Sequence, residues 1–162
     1  MTTDKLHKII EAINTITNDR HKLVILLGVF GTGKTKVLKQ IAERSAGVYV
    51  NLNLELSERL LKLPAKATND GVTVHRLIDD ICEQFSPNRE TLLIDNIELL
   101  FSPELGKTNP VDTFKRMSRQ RPVVIALPAH REGSNAIYSA PDHQDYLHIP
   151  LEEYVVIEMD KE

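Results

Sequence analysis

The sequence predicts an α/β fold in which a mainly parallel five-stranded sheet lies between two layers of helices. Short, continuously apolar runs recur along the chain, and such runs are typical of strands buried on both faces of a parallel sheet. Amphipathic segments, with apolar residues at steps of three and four, separate these runs. Strands that alternate with helices form parallel pairs joined by crossovers. The length of 162 residues suits one domain, so we expect residues 1–162 to fold as a single unit.

The first half of the chain predicts three helices and two strands. Leu6, Ile9, Ile13 and Ile16 follow helical spacing and predict an amphipathic opening helix. The predicted elements are this N-terminal helix within 1–20, a buried strand at Leu23–Leu27, a helix from Lys34, a strand at 48–52, a helix at 54–63 and a loop at 65–73.

The second half continues the alternation of strands and helices as far as the fourth strand of the chain, and the pattern is less regular beyond that strand. The predicted elements are a helix at 74–85, a strand at 91–94, a helix at 110–119, a strand at 123–127, a fifth strand at 146–149 and, within 151–162, a C-terminal strand or partner-binding tail at 154–159.

The composition is that of an ordinary globular protein, with 41% apolar and 27% charged residues. The formal net charge of -3 supplies no general positive charge for a nucleic-acid backbone, so DNA binding would need a local patch. The single cysteine, Cys82, cannot form an intrachain disulfide. Neither a secretory leader nor an apolar run long enough to span a membrane is visible, and we therefore expect a cytoplasmic protein.

A glycine-rich motif follows the first strand directly. Residues 28–35 fit the Walker A pattern G-x-x-x-x-G-K-[ST] at every fixed position and lie between a buried strand and a helix, as a P-loop requires. The loop N–H groups and the helix N-terminus can hold phosphate oxygens. Lys34 would reach the β- and γ-phosphates of ATP, and Thr35 would offer its hydroxyl to Mg²⁺. The predicted nucleotide-binding residues are Gly28, Val29, Phe30, Gly31, Thr32, Gly33, Lys34 and Thr35.

An acidic residue at the end of the third strand supplies the Walker B half of the site. Asp95 and Thr35 are the predicted Mg²⁺ residues. Many P-loop ATPases place a Glu directly after this Asp to polarise the attacking water, whereas this chain has Asn96 there and its nearest carboxylate is Glu98. Asn96 can orient a water but cannot take its proton, so we expect slow turnover. Glu98 is the preferred base, and a solvated loop acid is the alternative.

The fourth strand ends in polar residues at the same sheet edge. His130 and Arg131 are candidates for sensing the γ-phosphate, and Arg131 is also a candidate arginine finger across a subunit boundary. A plain surface loop is the alternative for both residues. The polar connection 134–146 is either an interaction loop or a linker.

A basic cluster precedes the fourth strand. Lys115, Arg116, Arg119 and Arg121 are candidates for contacting DNA or a neighbour's nucleotide. The ordinary alternative is a solvated helix face.

Three functions compete for the predicted site. The first is an ATPase with the additional-strand (AAA+-like) core and no lid domain, favoured by the strand that ends in Asp95 and the strand after it. The second is a small-molecule kinase, which usually carries acidic or arginine residues after the second strand, where this chain has Asn51 and Asn53. The third is a nucleotide-gated binding module without significant hydrolysis. Because a lone core leaves the nucleotide's outer face open, we expect assembly into a homo-oligomer.

One further pattern is carried by the segments 23–35, 51–60, 92–101, 118–119 and 141–146. Along most of the chain this pattern resembles the BrxF family, the small P-loop proteins of bacteriophage-exclusion (BREX) systems in bacteria. The resemblance implies a role in antiviral defence beside other BREX proteins, including a DNA methyltransferase and larger ATPases. The sequence departs from the family pattern at 126–133.

Overall fold

The computed structural model describes residues 2–44, 47–64, 71–105, 108–138 and 146–159. The helices in these ranges are α1 (Thr2–Thr15), α2 (Lys34–Glu43), α3 (Leu52–Leu60), α4 (Gly71–Phe85) and α5 (Pro110–Met117). The strands are β1 (Leu23–Leu27), β2 (Val48–Asn51), β3 (Leu92–Asp95), β4 (Val123–Leu127), β5 (His130–Glu132), β6 (Asn135–Tyr138), β7 (Leu147–Pro150) and β8 (Val155–Glu158).

The central sheet has five strands in the order β2-β3-β4-β1-β8. All four pairings between neighbours are parallel. Strand β4 lies between β1, which precedes the glycine-rich loop, and β3, which ends in Asp95. An additional strand therefore separates the two strands that carry the predicted site, and the predicted additional-strand P-loop fold is confirmed.

Helices cover both faces of this sheet because alternate strand residues point to opposite sides. On β1, Val24 and Leu26 belong to a core cluster with apolar residues of α1 and α2. Leu23, Ile25 and Leu27 belong to a second cluster with residues of α3, α4 and α5. Every residue of β1 is buried. Burial of each large apolar side chain contributes about 1.5–3 kcal/mol, so both layers stabilise the sheet on which the loop is mounted.

Polar caps set the helix boundaries near the site. The side chain of Asn51 accepts a hydrogen bond from Leu54 N at 3.2 Å, so α3 begins directly after β2 and not at the predicted residue 54. Asn109 caps α5 in the same way, accepting from Val111 N at 2.9 Å. Within the described ranges, no helix combines the length and the apolarity needed to cross a membrane.

The strand predicted at 146–149 is present as β7, but it is not the fifth strand of the central sheet. Strand β7 pairs with β6 in a separate antiparallel sheet of order β5-β6-β7. Its exposed and buried residues alternate, as in a strand with one solvent-exposed face. Gly133, with φ +62°, lies in the two-residue turn that joins β5 to β6. The fifth strand of the central sheet is instead β8, one of the two forms expected for the C-terminal segment.

Candidate phosphate-binding site

The glycine-rich loop joins the end of β1 to the start of α2, and its backbone requires glycine at three positions. Gly31 and Gly33 have φ of +86° and +87°, in the left-handed region that strains other residues. A Cβ at Gly28 would lie 2.5 Å from Thr32 Oγ1 and 3.1 Å from the Met159 carbonyl oxygen. The glycines of the motif are therefore explained by conformation at two positions and by close approach at the third.

The side chain of Lys34 is folded into this loop and only 9% of the residue is exposed. Its Nζ donates to the carbonyl oxygens of Gly28 and Val29, the latter at 2.9 Å, and to Thr32 Oγ1 at 3.3 Å. Burial lowers the pKa of Lys34, and the Asp95 and Glu98 carboxylates oppose that shift. All three bonding partners of the ammonium are neutral oxygens. A buried cation with neutral partners is suited to binding an anion such as phosphate.

Asp95, which ends β3 and is 3% exposed, connects the loop side of the site to the sheet. Its Oδ2 accepts hydrogen bonds from Thr35 Oγ1 at 2.6 Å and from the Tyr49 hydroxyl at 2.7 Å. Burial and the bond to Asp95 raise the pKa of Tyr49, so the phenol remains a donor. Hydroxyl and carboxylate oxygens are the hard ligands that Mg²⁺ prefers, so this pair fits the ion.

Beyond Asp95 the chain turns through Asn96, which has φ +55°, into a 3-10 turn that begins at Glu98. Asn53 Nδ2 donates to Glu98 Oε2 at 2.7 Å, and Asn53 Oδ1 accepts from Leu99 N at 3.0 Å. The backbone N–H of Asn53 also donates to the Asn96 carbonyl at 2.8 Å. The candidate base is therefore held by an amide at the start of α3.

His130 and Arg131 lie in a short exposed strand, β5, and not in an irregular loop. With Gly28, Val29 and Thr32 they line a cavity of about 200 Å³, so the structure brings both candidates beside the phosphate loop. Arg131 Nε lies 3.2 Å from Glu158 Oε1 at the end of β8. His130 Nε2 lies 3.3 Å from Glu132 Oε1. Each candidate sensor is therefore paired with an acid of its own chain.

The predicted basic cluster divides into two pairs. Arg121 is 3% exposed and donates to Glu83 Oε1 at 2.7 Å, and Arg116 pairs with Asp79 at 3.2 Å. These two guanidinium groups are bound to carboxylates of α4. Lys115 and Arg119 lie elsewhere, near residues 20–22. Of the connection 134–146, expected to be an interaction loop or a linker, residues 135–138 form β6 and residues 139–145 lie outside the described residues.

Three residues at the site were not among the predicted ones. Tyr49 and Asn53 reach Asp95 and Glu98 from β2 and α3, the elements that follow α2. Met159 N donates to the Leu27 carbonyl at 2.7 Å, and its Cε would lie 3.8 Å from a Cβ at Gly33. Asn53 follows the carboxyl end of β2, whereas Tyr49 is the second residue of that strand. Neither position marks a site residue in the sequence, because only the structure shows that β2 lies beside β3.

No protein-family model matches the chain, and the comparison with curated proteins found no match either. Solved structures resemble its fold at low identity. The structure of PCH-2 from C. elegans is 12% identical, with a TM-score of 0.47, covering 99% of this chain and 42% of that one. The crystal structure of a DNA replication initiation factor is 14% identical, with a TM-score of 0.49 and coverage of 95% and 44%. AMPPCP-bound DnaA from Aquifex aeolicus is 13% identical, with a TM-score of 0.39 and coverage of 96% and 44%. The chain spans less than half the length of each.

Proposed function

We propose that the protein binds ATP with Mg²⁺ and hydrolyses it slowly until it assembles into an oligomer. The observation that carries the proposal is the 2.6 Å hydrogen bond between Thr35 Oγ1 and Asp95 Oδ2. This bond places the hydroxyl at the start of α2 against the carboxylate at the end of β3, although 60 residues separate them in sequence. A P-loop NTPase uses the same two groups to hold its metal ion.

The phosphates are held by the loop and by Lys34. Their oxygens accept from the backbone N–H groups at the N-terminus of α2, and the ammonium of Lys34 supplies the positive charge. When bound, Mg²⁺ neutralises charge that develops on the transferred phosphoryl group. The contribution of this chain to the metal is the pair of oxygen ligands on Thr35 and Asp95.

The incomplete set of catalytic groups supports slow turnover. Asn96 has no group that can take a proton from water, so Glu98 is the proposed base. The contact between Glu98 and Asn53 holds the carboxylate in one position. Any proton transfer to Glu98 has to compete with this hydrogen bond.

Assembly is proposed because the site lacks a closing element among the described residues. Arg131 is held by Glu158, and Phe30 at the tip of the loop is 93% exposed. A neighbouring copy that covers the loop would exclude water and shield this aromatic side chain. Arg131, released from Glu158, is the proposed phosphate sensor.

The proposal is tested by measuring ATP hydrolysis per subunit across a wide range of protein concentration, with sedimentation to record assembly. Lys34→Ala serves as the blank. We expect specific activity to rise as oligomers form. Activity that exceeds the blank but is independent of assembly would contradict completion of the site between subunits.

A nucleotide-gated binding module is the second candidate function. It is favoured because Glu98 is hydrogen-bonded to Asn53 and Arg131 is paired with Glu158, so neither group is free to act in hydrolysis. ATP binding without hydrolysis at any degree of assembly would favour it. A small-molecule kinase is less well supported, since Asn53 holds Glu98 where such kinases hold an acceptor. A phosphorylated product after incubation with ATP and pooled metabolites would overturn that order.

We further propose that the protein acts in anti-phage defence with other BREX proteins, as its resemblance to the BrxF family implies. Two segments that carry the resemblance, 51–60 and 92–101, meet through the contact of Asn53 with Glu98. In a bacterium that carries the whole defence system, Lys34→Ala should raise phage plating efficiency. Unchanged plating with normal protein levels would contradict a nucleotide-dependent role there.

A further inference from the structure

We propose that a basic surface formed by Arg20, His21, Lys22, Lys115 and Arg119 binds the phosphodiester backbone of a duplex nucleic acid. The surface shares only two residues with the basic cluster predicted from the sequence. It goes beyond the proposed function, because none of its residues belongs to the phosphate loop.

Two segments distant in sequence form this surface because they precede neighbouring strands. Residues 20–22 lead into β1, and the turn after α5 leads into β4, its partner in the sheet. Lys22 N donates to the Ser118 carbonyl at 3.1 Å, and Lys22 Nζ donates to the Arg119 carbonyl at 3.2 Å. Arg119 Nε donates to His21 Nε2 at 3.2 Å. The backbone of the fold therefore fixes the cationic groups beside one another.

The positive charge of the basic surface is poorly neutralised. Among the described residues, no carboxylate forms an ion pair with Arg20, Lys22 or Arg119, in contrast to the paired guanidinium groups of Arg116 and Arg121. Lys115 lies 3.5 Å from Glu153, but that acid is 77% exposed, and such pairs are worth little.

The lowered pKa of His21 agrees with an excess of positive charge on the basic surface. Desolvation lowers the pKa of His21, and Lys115, Arg119 and Arg20 lower it further, while Glu153 alone opposes them. Its neutral ring accepts from Arg119 and so leaves the charge of that guanidinium uncompensated.

The location of the basic surface separates it from the nucleotide. It lies at the amino ends of β1 and β4, whereas the phosphate loop follows the carboxyl end of β1. A strand of this length spans about 17 Å. The protein is therefore expected to bind a polyanion on this surface and ATP in the loop at the same time.

The chemistry of the basic surface favours a phosphate backbone over single-stranded bases. Stacking platforms for bases need accessible aromatic rings. Among the described residues, Tyr154 lies beside this surface, and its ring centroid is already 5.7 Å from Lys115 Nζ. Guanidinium and ammonium groups contact phosphates without reading sequence, so binding is expected to be non-specific and strongly salt-dependent.

The test is fluorescence anisotropy of a labelled DNA duplex of about 20 base pairs and of a matched RNA duplex, titrated with the full chain. With three or four phosphate contacts, the slope of log K against log salt should be about -3 for DNA. The double variant Arg20→Glu/Arg119→Glu should bind at least about tenfold more weakly. The control Lys8→Glu/Lys62→Glu makes the same change in net charge at two other exposed positions and should bind like the wild type.

Several outcomes would overturn the proposal. One is an equal loss of duplex affinity in the control variant, and another is displacement of the duplex by saturating ATP and Mg²⁺. A third is binding of polyglutamate as tight as binding of the duplex, which would indicate an acidic protein partner. Absence of duplex binding at low salt would overturn it as well. The milder variant Arg20→Gln/Arg119→Gln should also bind the duplex more weakly. Circular dichroism of both double variants shows whether a loss of binding comes from misfolding. Lys34→Ala should bind the duplex normally, which separates this proposal from failure of the nucleotide site.

Discussion

Asp95 is the residue that joins the two halves of the candidate nucleotide site. Its buried carboxylate accepts from Thr35 and Tyr49, one donor from the loop helix and one from β2. Thr35 and Asp95 could be predicted from sequence because each occupies a fixed place in a motif. Tyr49 and Asn53 could not, since their contacts depend on which strands are neighbours in the sheet.

Asp95→Asn tests the metal role of this carboxylate. The amide retains an oxygen but loses the negative charge that a divalent cation needs, so ATP binding should weaken by about tenfold or more with Mg²⁺ and much less without it. Titration calorimetry with and without Mg²⁺ measures both affinities. Asp80→Asn, at an exposed position of α4, is the matched control. Equal losses in the two conditions would refute the metal role.

Glu98→Gln tests the proposed base. The variant keeps a side chain that can hydrogen-bond Asn53 but cannot accept a proton from water. ATP affinity should therefore be retained, while turnover falls by about 10²-fold or more. A steady-state hydrolysis assay with saturating ATP measures the change. Unaltered turnover would place the base at another residue.

Cys82 provides a pH-dependent test of the core. Burial raises the pKa of its thiol to about 12 from an ordinary value of 9.0. Between these values the folded protein keeps a proton that the unfolded chain releases, so stability falls as pH rises, by up to about 1.4 kcal/mol per pH unit. Cys82→Ala lacks this proton. Urea denaturation should show the stability gap between wild type and variant narrowing above about pH 9; a constant gap would contradict the shift.

At the scale of elements, continuously apolar strands were the most predictable part of the fold. β1 and β4 have the predicted bounds because all of their residues are buried. The sequence does not predict which sheet contains β7, since a short strand with alternating burial carries no information about its partner. The sequence analysis does not predict the hairpin of β5 and β6, although Gly133 marks its turn.

β8 should be an integral strand of the sheet and not a removable tail. It pairs with β1 through four residues, and Met159 then bonds the Leu27 carbonyl. Cutting the chain after residue 154 exposes the edge of β1 and should lower the melting temperature sharply or prevent folding. Cutting after residue 159 keeps the strand and is the control. Equal melting temperatures for the two truncated chains would show that β8 adds no stability.

At the scale of the whole molecule, the two proposed binding surfaces lie at opposite ends of the central sheet. The loop and Asp95 lie at the carboxyl ends of the strands, and the basic surface lies at the amino ends of β1 and β4. The expectation of one domain over residues 1–162 stays a prediction.

We propose that residues 28–35 bind the phosphates of ATP, and equilibrium ATP binding by wild type and Lys34→Ala in the presence of Mg²⁺ tests this directly. We expect the variant to bind ATP at least about 10²-fold more weakly, while its circular dichroism stays near that of the wild type. The buried ammonium contributes charge to the loop and little to the core. If Lys34→Ala bound ATP as tightly as the wild type, residues 28–35 would not be the nucleotide site.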